Sequence, residues 1–138
     1  MERAMIPRYR AWNKNTKEMY ETDDIVSIDV EKKQIYVKTL FFNQLNHYVF
    51  DAVVLMQSTG LRDKNGKEIF EGDILSIETD EENVNVEVSW DDKHALFVFE
   101  SKKYDERESL GELFEDNTYP FKIIGNIHTN PELAEVSK

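Results

Sequence analysis

From Val84 to Trp90 the chain alternates without a break, with Val84, Val86, Val88 and Trp90 on one side and Asn85, Glu87 and Ser89 on the other. A repeat of two residues is the period of a strand with one buried and one wet face. Its neighbours extend the pattern. Asp80-Glu81-Glu82-Asn83 separates it from Ile74-Leu75-Ser76-Ile77, and Asp91-Asp92-Lys93-His94 leads into Ala95-Leu96-Phe97-Val98-Phe99. Three apolar runs joined by short acidic turns predict an antiparallel meander. The expected core is Ile74, Ile77, Val84, Val86, Val88, Trp90, Leu96, Val98, Ile123 and Ile127. Trp90→Ala or Val86→Asp should then unfold the domain, since burying one such side chain contributes about 1.5–3 kcal/mol.

The meander is entered through Gln57 to Leu75, which holds three of the five glycines. Asp63-Lys64-Asn65-Gly66 has Asp where a type I turn begins and Gly where it closes. Glu71-Gly72-Asp73 breaks the chain just before the strand that starts at Ile74.

Toward the N-terminus, Ile6 to Trp12 alternates basic with apolar or aromatic residues, which predicts a half-buried strand with Pro7 at its start. Asn13 to Lys17 is a turn, and Glu18-Met19-Tyr20 returns as the other arm of an edge hairpin. Asp24 to Val30 predicts a strand with Val26, Ile28 and Val30 on one face; Glu31 to Gln34 turns, and Ile35 to Thr39 returns. Residues 40–56 are ambiguous. Asn43 to His47 reads as a loop, and Tyr48 to Met56 as a buried strand or a short helix.

Beyond the meander, Ser109 to Phe114 reads as a short helix, with Ser109 as N-cap and Glu112 at the capping-box offset. Phe121 to Ile127 predicts the last strand, where Gly125 permits a bulge or a close backbone approach. Asn130-Pro131-Glu132 has the N-cap, first-position proline and first-turn acid of a tail helix running to about Val136.

Charge is unevenly shared. Residues 1–70 carry 11 Lys/Arg against 10 Asp/Glu, and residues 71–138 carry 6 against 18, within an overall net charge of −11. So acidic a half repels phosphates, which disfavours direct nucleic-acid binding. A solvated acidic surface is the plain reading; a specific basic partner is the sharper one, favoured if Asp80, Glu81, Glu82, Asp91, Asp92, Asp105, Glu106 and Glu108 share a surface. Arg3, Arg8, Arg10, Lys14 and Lys17, interleaved with Tyr9 and Trp12, fit an edge hairpin better than a nucleic-acid patch.

No known chemistry assembles itself. The chain has no cysteine, hence no disulfide, zinc-thiolate site or thiol nucleophile. His47, His94 and His128 lack metal-ligand spacing, and Asp63-x-Asn65 fails the calcium-loop template, which wants Gly and Glu where Glu68 and Ile74 stand. Phosphate loop, nucleophile elbow and dinucleotide fingerprint are all missing. Ser58-Thr59 beside Gly60 has no base pattern and reads as structural hydroxyls in a turn. Carboxylate pairs are too numerous to be informative. No catalytic, cofactor or metal residue is assigned.

Leu55 to Ile74, read as Leu-Met-Gln-Ser-Thr-Gly-Leu-Arg-Asp-Lys-Asn-Gly-Lys-Glu-Ile-Phe-Glu-Gly-Asp-Ile, resembles the central signature of the YopX-like family of phages and bacterial prophages. Tyr9 to Trp12 with Met19-Tyr20, Val88 to Asp91, and Ile123 to Leu133 resemble the family's ends; Phe70 stands where Tyr is expected, and residues 40–50 fit least. The resemblance implies a β-rich fold, a mobile-element context and no assigned activity, so no residue role is carried over. The Gly72-Asp73 pair entering a strand is also similar to the opening of small SH3-like barrels.

The expectation is therefore one mainly β domain over 1–138, with an N-terminal β-hairpin lobe (1–56), a partly open SH3-like barrel lobe (57–138) and short C-terminal helices. It would act without catalysis as a phage or prophage accessory or structural protein, first through self-association as a homo-oligomer or other protein contact. Second comes an acidic module that engages a basic host or phage protein and imitates the charge of DNA, and an unidentified enzyme ranks third. The N-terminus lacks a signal-peptide core and no apolar run reaches the roughly 20 residues of a membrane span, so a bacterial cytoplasmic setting with no membrane partner is the default.

Overall fold

The computed structural model describes residues 7–38, 44–116 and 118–134. The chain is mainly β, its sheets are antiparallel, and it divides into two compact units with the boundary between Ser58 and Thr59.

The first unit holds β1 (Tyr9–Asn13), β2 (Glu18–Tyr20), β3 (Ile25–Asp29), β4 (Gln34–Lys38), β5 (Leu45–Val49) and the start of β6 (Val53–Arg62), with 3-10 turns at Thr22–Asp24 and Phe50–Ala52. β1 lies between β2 and β6, while β3, β4 and β5 form a second sheet. Ala11, Tyr20, Ile35, Val37 and Val53 form a buried cluster shared by the two sheets. Asn13, at 1% exposure, organises the β1–β2 turn: its Oδ1 accepts the Asn15 and Thr16 amides and its Nδ2 donates to the Tyr20 hydroxyl at 3.0 Å.

Three expectations for this unit need correction. β1 pairs with both β2 and β6, so of this hairpin only β2 is an edge, and Arg10, Ala11, Trp12 and Asn13 are all buried instead of alternating. In β3 a bulge between Ile25 and Ser27 resets the alternation; Ile25 and Ile28 pack on the core, and Val26 and Val30 are exposed. Leu45-Asn46-His47 belongs to strand β5, not to a loop, and the supposed continuous strand from Tyr48 is cut by the Phe50–Ala52 turn. Residues 40–43 lie outside the described residues.

The second unit continues β6 into the turn at Asp63–Gly66, then β7 (Glu68–Phe70), β8 (Asp73–Glu78), β9 (Asn83–Asp91), β10 (Leu96–Ser101), β11 (Glu106–Ser109), helix α1 (Leu110–Asp116) and β12 (Phe121–Asn126), with a 3-10 turn at Pro131–Ala134. The open half-barrel sheet runs β11-β10-β9-β8-β12. The meander is as the alternation predicts, and α1 carries the chain from one edge strand to the other. Ile69, Leu75, Ile77, Val86, Val88, Leu110 and Phe121 form the core, joined by Leu61, Phe99, Leu113 and Phe114 at its margin.

The Asp63 turn is held from within and from afar. Its Oδ1 accepts the Asn65 and Lys67 amides, and its Oδ2 accepts the Ile123 amide of β12 at 2.9 Å. Gly66 has φ +80°, the left-handed conformation that the turn demands. Thr59 Oγ1 donates to the Ile69 carbonyl, so this hydroxyl is structural, although it sits in strand β6 and not in a turn.

Trp90 corrects the core assignment. It shares the face of Val86 and Val88 but is 39% exposed, resting edge-on against Phe97, its cross-strand neighbour. Alternation decides which face a residue takes; it does not say how far along the strand the cover extends. Val84, Leu96, Ile123 and Ile127 are half-buried, while Ile74, Ile77, Val86, Val88 and Val98 are buried. The tail segment is a single 3-10 turn, and its continuation to Val136 lies outside the described residues.

Candidate functional site

The register of the second unit fixes which side chains share its concave face. Ile77 stands opposite Val84, Leu75 opposite Val86, Val88 opposite Phe99, Phe99 opposite Glu108, and Ser101 opposite Glu106. The core face therefore runs unbroken to the edge strand β11, where it ends in two carboxylates. α1 covers one end of this face through Leu110, Leu113 and Phe114. The other end is left as a hollow of about 360 Å³ floored by Ile77, Val84, Val86 and Phe99.

Its rim is acidic. Glu106 and Glu108 come from β11, Glu81 and Glu82 from the β8–β9 turn, and Thr79, Ser101 and Tyr104 add hydroxyls. Glu82 is engaged: Lys103 Nζ reaches its Oε2 at 2.7 Å and the Tyr104 hydroxyl donates to its Oε1. Among the described residues, Glu81, Glu106 and Glu108 have no ion-pair or side-chain hydrogen-bond partner. Three uncompensated carboxylates around an apolar floor suit a ligand that combines positive charge with hydrocarbon. Thr79 Oγ1 donates to the Glu82 carbonyl and accepts the Glu82 amide, which holds the acidic turn in place.

The eight acidic residues picked out in the sequence separate into groups. Glu81, Glu82, Glu106 and Glu108 meet at the hollow, and Asp80, Asp92 and Asp105 are exposed outside it. Asp91 is buried elsewhere, its Oδ2 2.8 Å from His94 Nδ1 and 3.8 Å from Arg107 Nη1. The His94 hydrogen bond, aided by the His94 and Lys93 amides, lowers the Asp91 carboxyl below the usual range. Sequence reasoning missed β11 itself, because Glu106-Arg107-Glu108-Ser109 carries no apolar residue, and it missed Tyr104. The one available signal was the period-two spacing of Glu106 and Glu108.

A smaller recess of about 200 Å³ lies on the opposite face of the sheet. There Glu87 stands directly across from Glu100, beside Asn85, Lys102 and the apolar Ile74 and Leu133. Burial pushes the Glu87 carboxyl up, the Lys102 charge partly offsets this, and Glu100 adds to it. Facing carboxylates are a feature of acid–base sites, but this recess is smaller than the roughly 300–1,000 Å³ of ordinary ligand pockets. The three histidines occupy separate places. His47, in β5, rests against Tyr36 of β4, His94 is in the β9–β10 turn, and His128 follows β12. Among the described residues no group of three or more His, Cys, Asp or Glu is placed to hold a metal, and no helix is long and apolar enough to cross a membrane.

Fold and hollow together define a class: two compact antiparallel units, the second an open half-barrel with an acidic concave rim. The sequence signature of the YopX protein family matches residues 8–135, and the chain belongs to that family. Among solved structures it is similar to protein EF1440 from Enterococcus faecalis, at 29% identity and TM-score 0.67, covering 96% of this chain and 100% of that one. It is similar in fold to protein yopX from Bacillus subtilis, at 24% identity and TM-score 0.65, covering 93% and 98%. No curated protein matches it.

Proposed function

We propose that this YopX-family chain is an accessory protein encoded by a phage or prophage, which acts without catalysis in the bacterial cytoplasm by contact with a basic protein. The contact surface is the acid-rimmed hollow of the second unit. One observation carries the reading: Glu81, Glu106 and Glu108 stand without partners around an apolar floor. Carboxylates that serve a fold are paired or hydrogen-bonded, as Asp63 and Asp91 are. Unpaired ones beside exposed hydrocarbon raise local negative potential and speed encounter with a cationic surface.

Affinity capture from a prophage-carrying host lysate identifies the partner, and titration of the purified pair tests the surface. Association should weaken steeply between about 50 and 300 mM NaCl. It should also be lost in a Glu81→Lys, Glu106→Lys, Glu108→Lys triple variant that still folds. Salt-independent association, or full association by that variant, removes the reading.

Self-association is a second reading, favoured by a different observation. Edge strand β5 leaves Leu45 and Val49 about half exposed, with Tyr36 and His47 in contact beside them. Light scattering that reports a monomer up to several hundred micromolar would remove it.

A further inference from the structure

We infer that the occupant of the hollow is an extended segment with basic residues at alternate positions, which adds as a sixth strand to the free edge of β11. The inference rests on the reading of the hollow as a basic-partner site and specifies the form that the partner takes.

The first ground is topology. Among the described residues β11 ends the sheet order and pairs with β10 alone, so the backbone groups on its other side are open for a further strand. The second is spacing. Glu106 and Glu108 are two residues apart and stand across from Ser101 and Phe99, so both carboxylates sit on the concave face. A strand laid beside β11 presents its own alternate side chains to that face at the same interval, about 6.8 Å. Each second residue of the incoming strand thus comes level with a glutamate, and its stem passes over Phe99 and the floor. Arginine fits best: its planar fork matches a carboxylate in two hydrogen bonds, and its stem covers hydrocarbon.

Charges that point inward from a short edge strand also have a plain use, since they stop sheets from pairing indiscriminately. The two roles agree. Against β11 of a second copy, Glu106 and Glu108 meet like charge; against a neutral strand they are covered without a partner; a basic strand brings two opposite charges. The same pair that excludes the wrong strand selects the right one.

The test uses the full chain and two acetylated, amidated eight-residue peptides of one composition, four arginines and four valines. In one peptide arginine and valine alternate; in the other the arginines are contiguous. A third peptide is the alternating sequence with N-methyl groups on the backbone amides that would face β11. By isothermal titration at about 50 mM salt, the alternating peptide should bind on the order of tenfold tighter than the contiguous one. N-methylation should cost about the same factor, as should Glu106→Gln with Glu108→Gln, whose melting temperature should not fall below the wild-type value. Amide exchange in residues 106–109 should slow on binding. Equal affinity for the two arrangements, indifference to N-methylation, or unchanged exchange at β11 overturns strand addition while a salt-sensitive basic partner still upholds the proposed function. If no basic peptide or protein binds, both fall.

Discussion

At the scale of single residues, Asp63 does more than its turn motif announces. One carboxylate closes its own turn through two amides and secures β12 through a third, sixty positions along the chain. It is 7% exposed, so its removal strands three amide donors where water has little access. Asp63→Ala should cost about 3 kcal/mol or more, read as a fall in the urea midpoint with unchanged slope. Asp63→Asn, which keeps one acceptor oxygen, should lie between the alanine variant and wild type. The two perturbed carboxyls make opposite pH predictions. Glu87 binds its proton more tightly folded than unfolded, because burial outweighs Lys102. Rising pH, from the ordinary glutamate value of about 4.3 up through the raised one, therefore removes stability. Asp91 is depressed by His94, so its contribution is present above the ordinary aspartate value of about 3.9 and is lost as pH falls through the lowered one. Urea midpoints measured from pH 3 to pH 7 should show Glu87→Gln flattening the mildly acidic limb and Asp91→Asn flattening the strongly acidic one. An unchanged profile in either variant would remove that residue's part.

At the scale of elements, the sharpest device is the break in β12. The register with β8 shifts between Ile123 and Gly125, and a Cβ at Gly125 would lie 2.5 Å from Asn130 Oδ1 and 2.9 Å from Leu133 Cδ1. The bulge lets the strand pass under the following 3-10 turn, whose Asn130 caps back onto the Asn126 amide. Gly125→Val should displace that turn and lower stability by about 1–3 kcal/mol, the usual cost of overpacking, with faster exchange at residues 126–133. Gly125→Ala should do the same to a smaller degree, and a variant as stable as wild type would mean that the turn moves aside freely. This bulge was legible in the sequence, because a lone glycine inside an apolar run weakens a strand unless the backbone bends or is closely approached there. The meander was legible too, since alternation and acidic turns agreed across Ile74 to Phe99. The bulge in β3 was not, because Val26-Ser27-Ile28 satisfies period two on paper, and only the pairing with β4 reveals the extra residue. β5 was obscured because its inward positions hold Asn46 and Tyr48 while Leu45 and Val49 face out. Trp90 shows the same limit from the other side. Its contact with Phe97 is worth about 0.5–1.5 kcal/mol beyond burial, so Trp90→Ala should weaken the fold without abolishing it, whereas Val86→Asp still places a charge in the core. The hollow was half legible. The acidic residues were visible, but their division into a rim, a buried Asp91 and scattered surface charges needed the register of β9, β10 and β11.

At the scale of the whole molecule, charge sets stability and binding against each other. With a net charge of −11, the folded chain repels itself, and salt relieves that repulsion as the screening length shrinks from about 30 Å at 0.01 M to about 8 Å at 0.15 M. The Lys64–Glu78 and Lys103–Glu82 pairs act in the opposite sense, but both are partly exposed, and such pairs contribute little. The melting temperature should therefore rise with NaCl over this range, by about 4 °C for each kcal/mol relieved. Affinity for a basic partner should fall over the same interval. The glutamates of the rim should separate the two effects. If Glu81, Glu106 and Glu108 serve the fold, neutralising them lowers the melting temperature at every salt concentration. If they serve a partner, the triple glutamine variant melts at or above wild type at low salt, the gain fades as salt is added, and binding is lost. Rim carboxylates whose neutralisation raises stability and abolishes binding would be ones that the fold itself does not need. A triple variant less stable than wild type at low salt would place these carboxylates among the structural ones and take the binding surface with it.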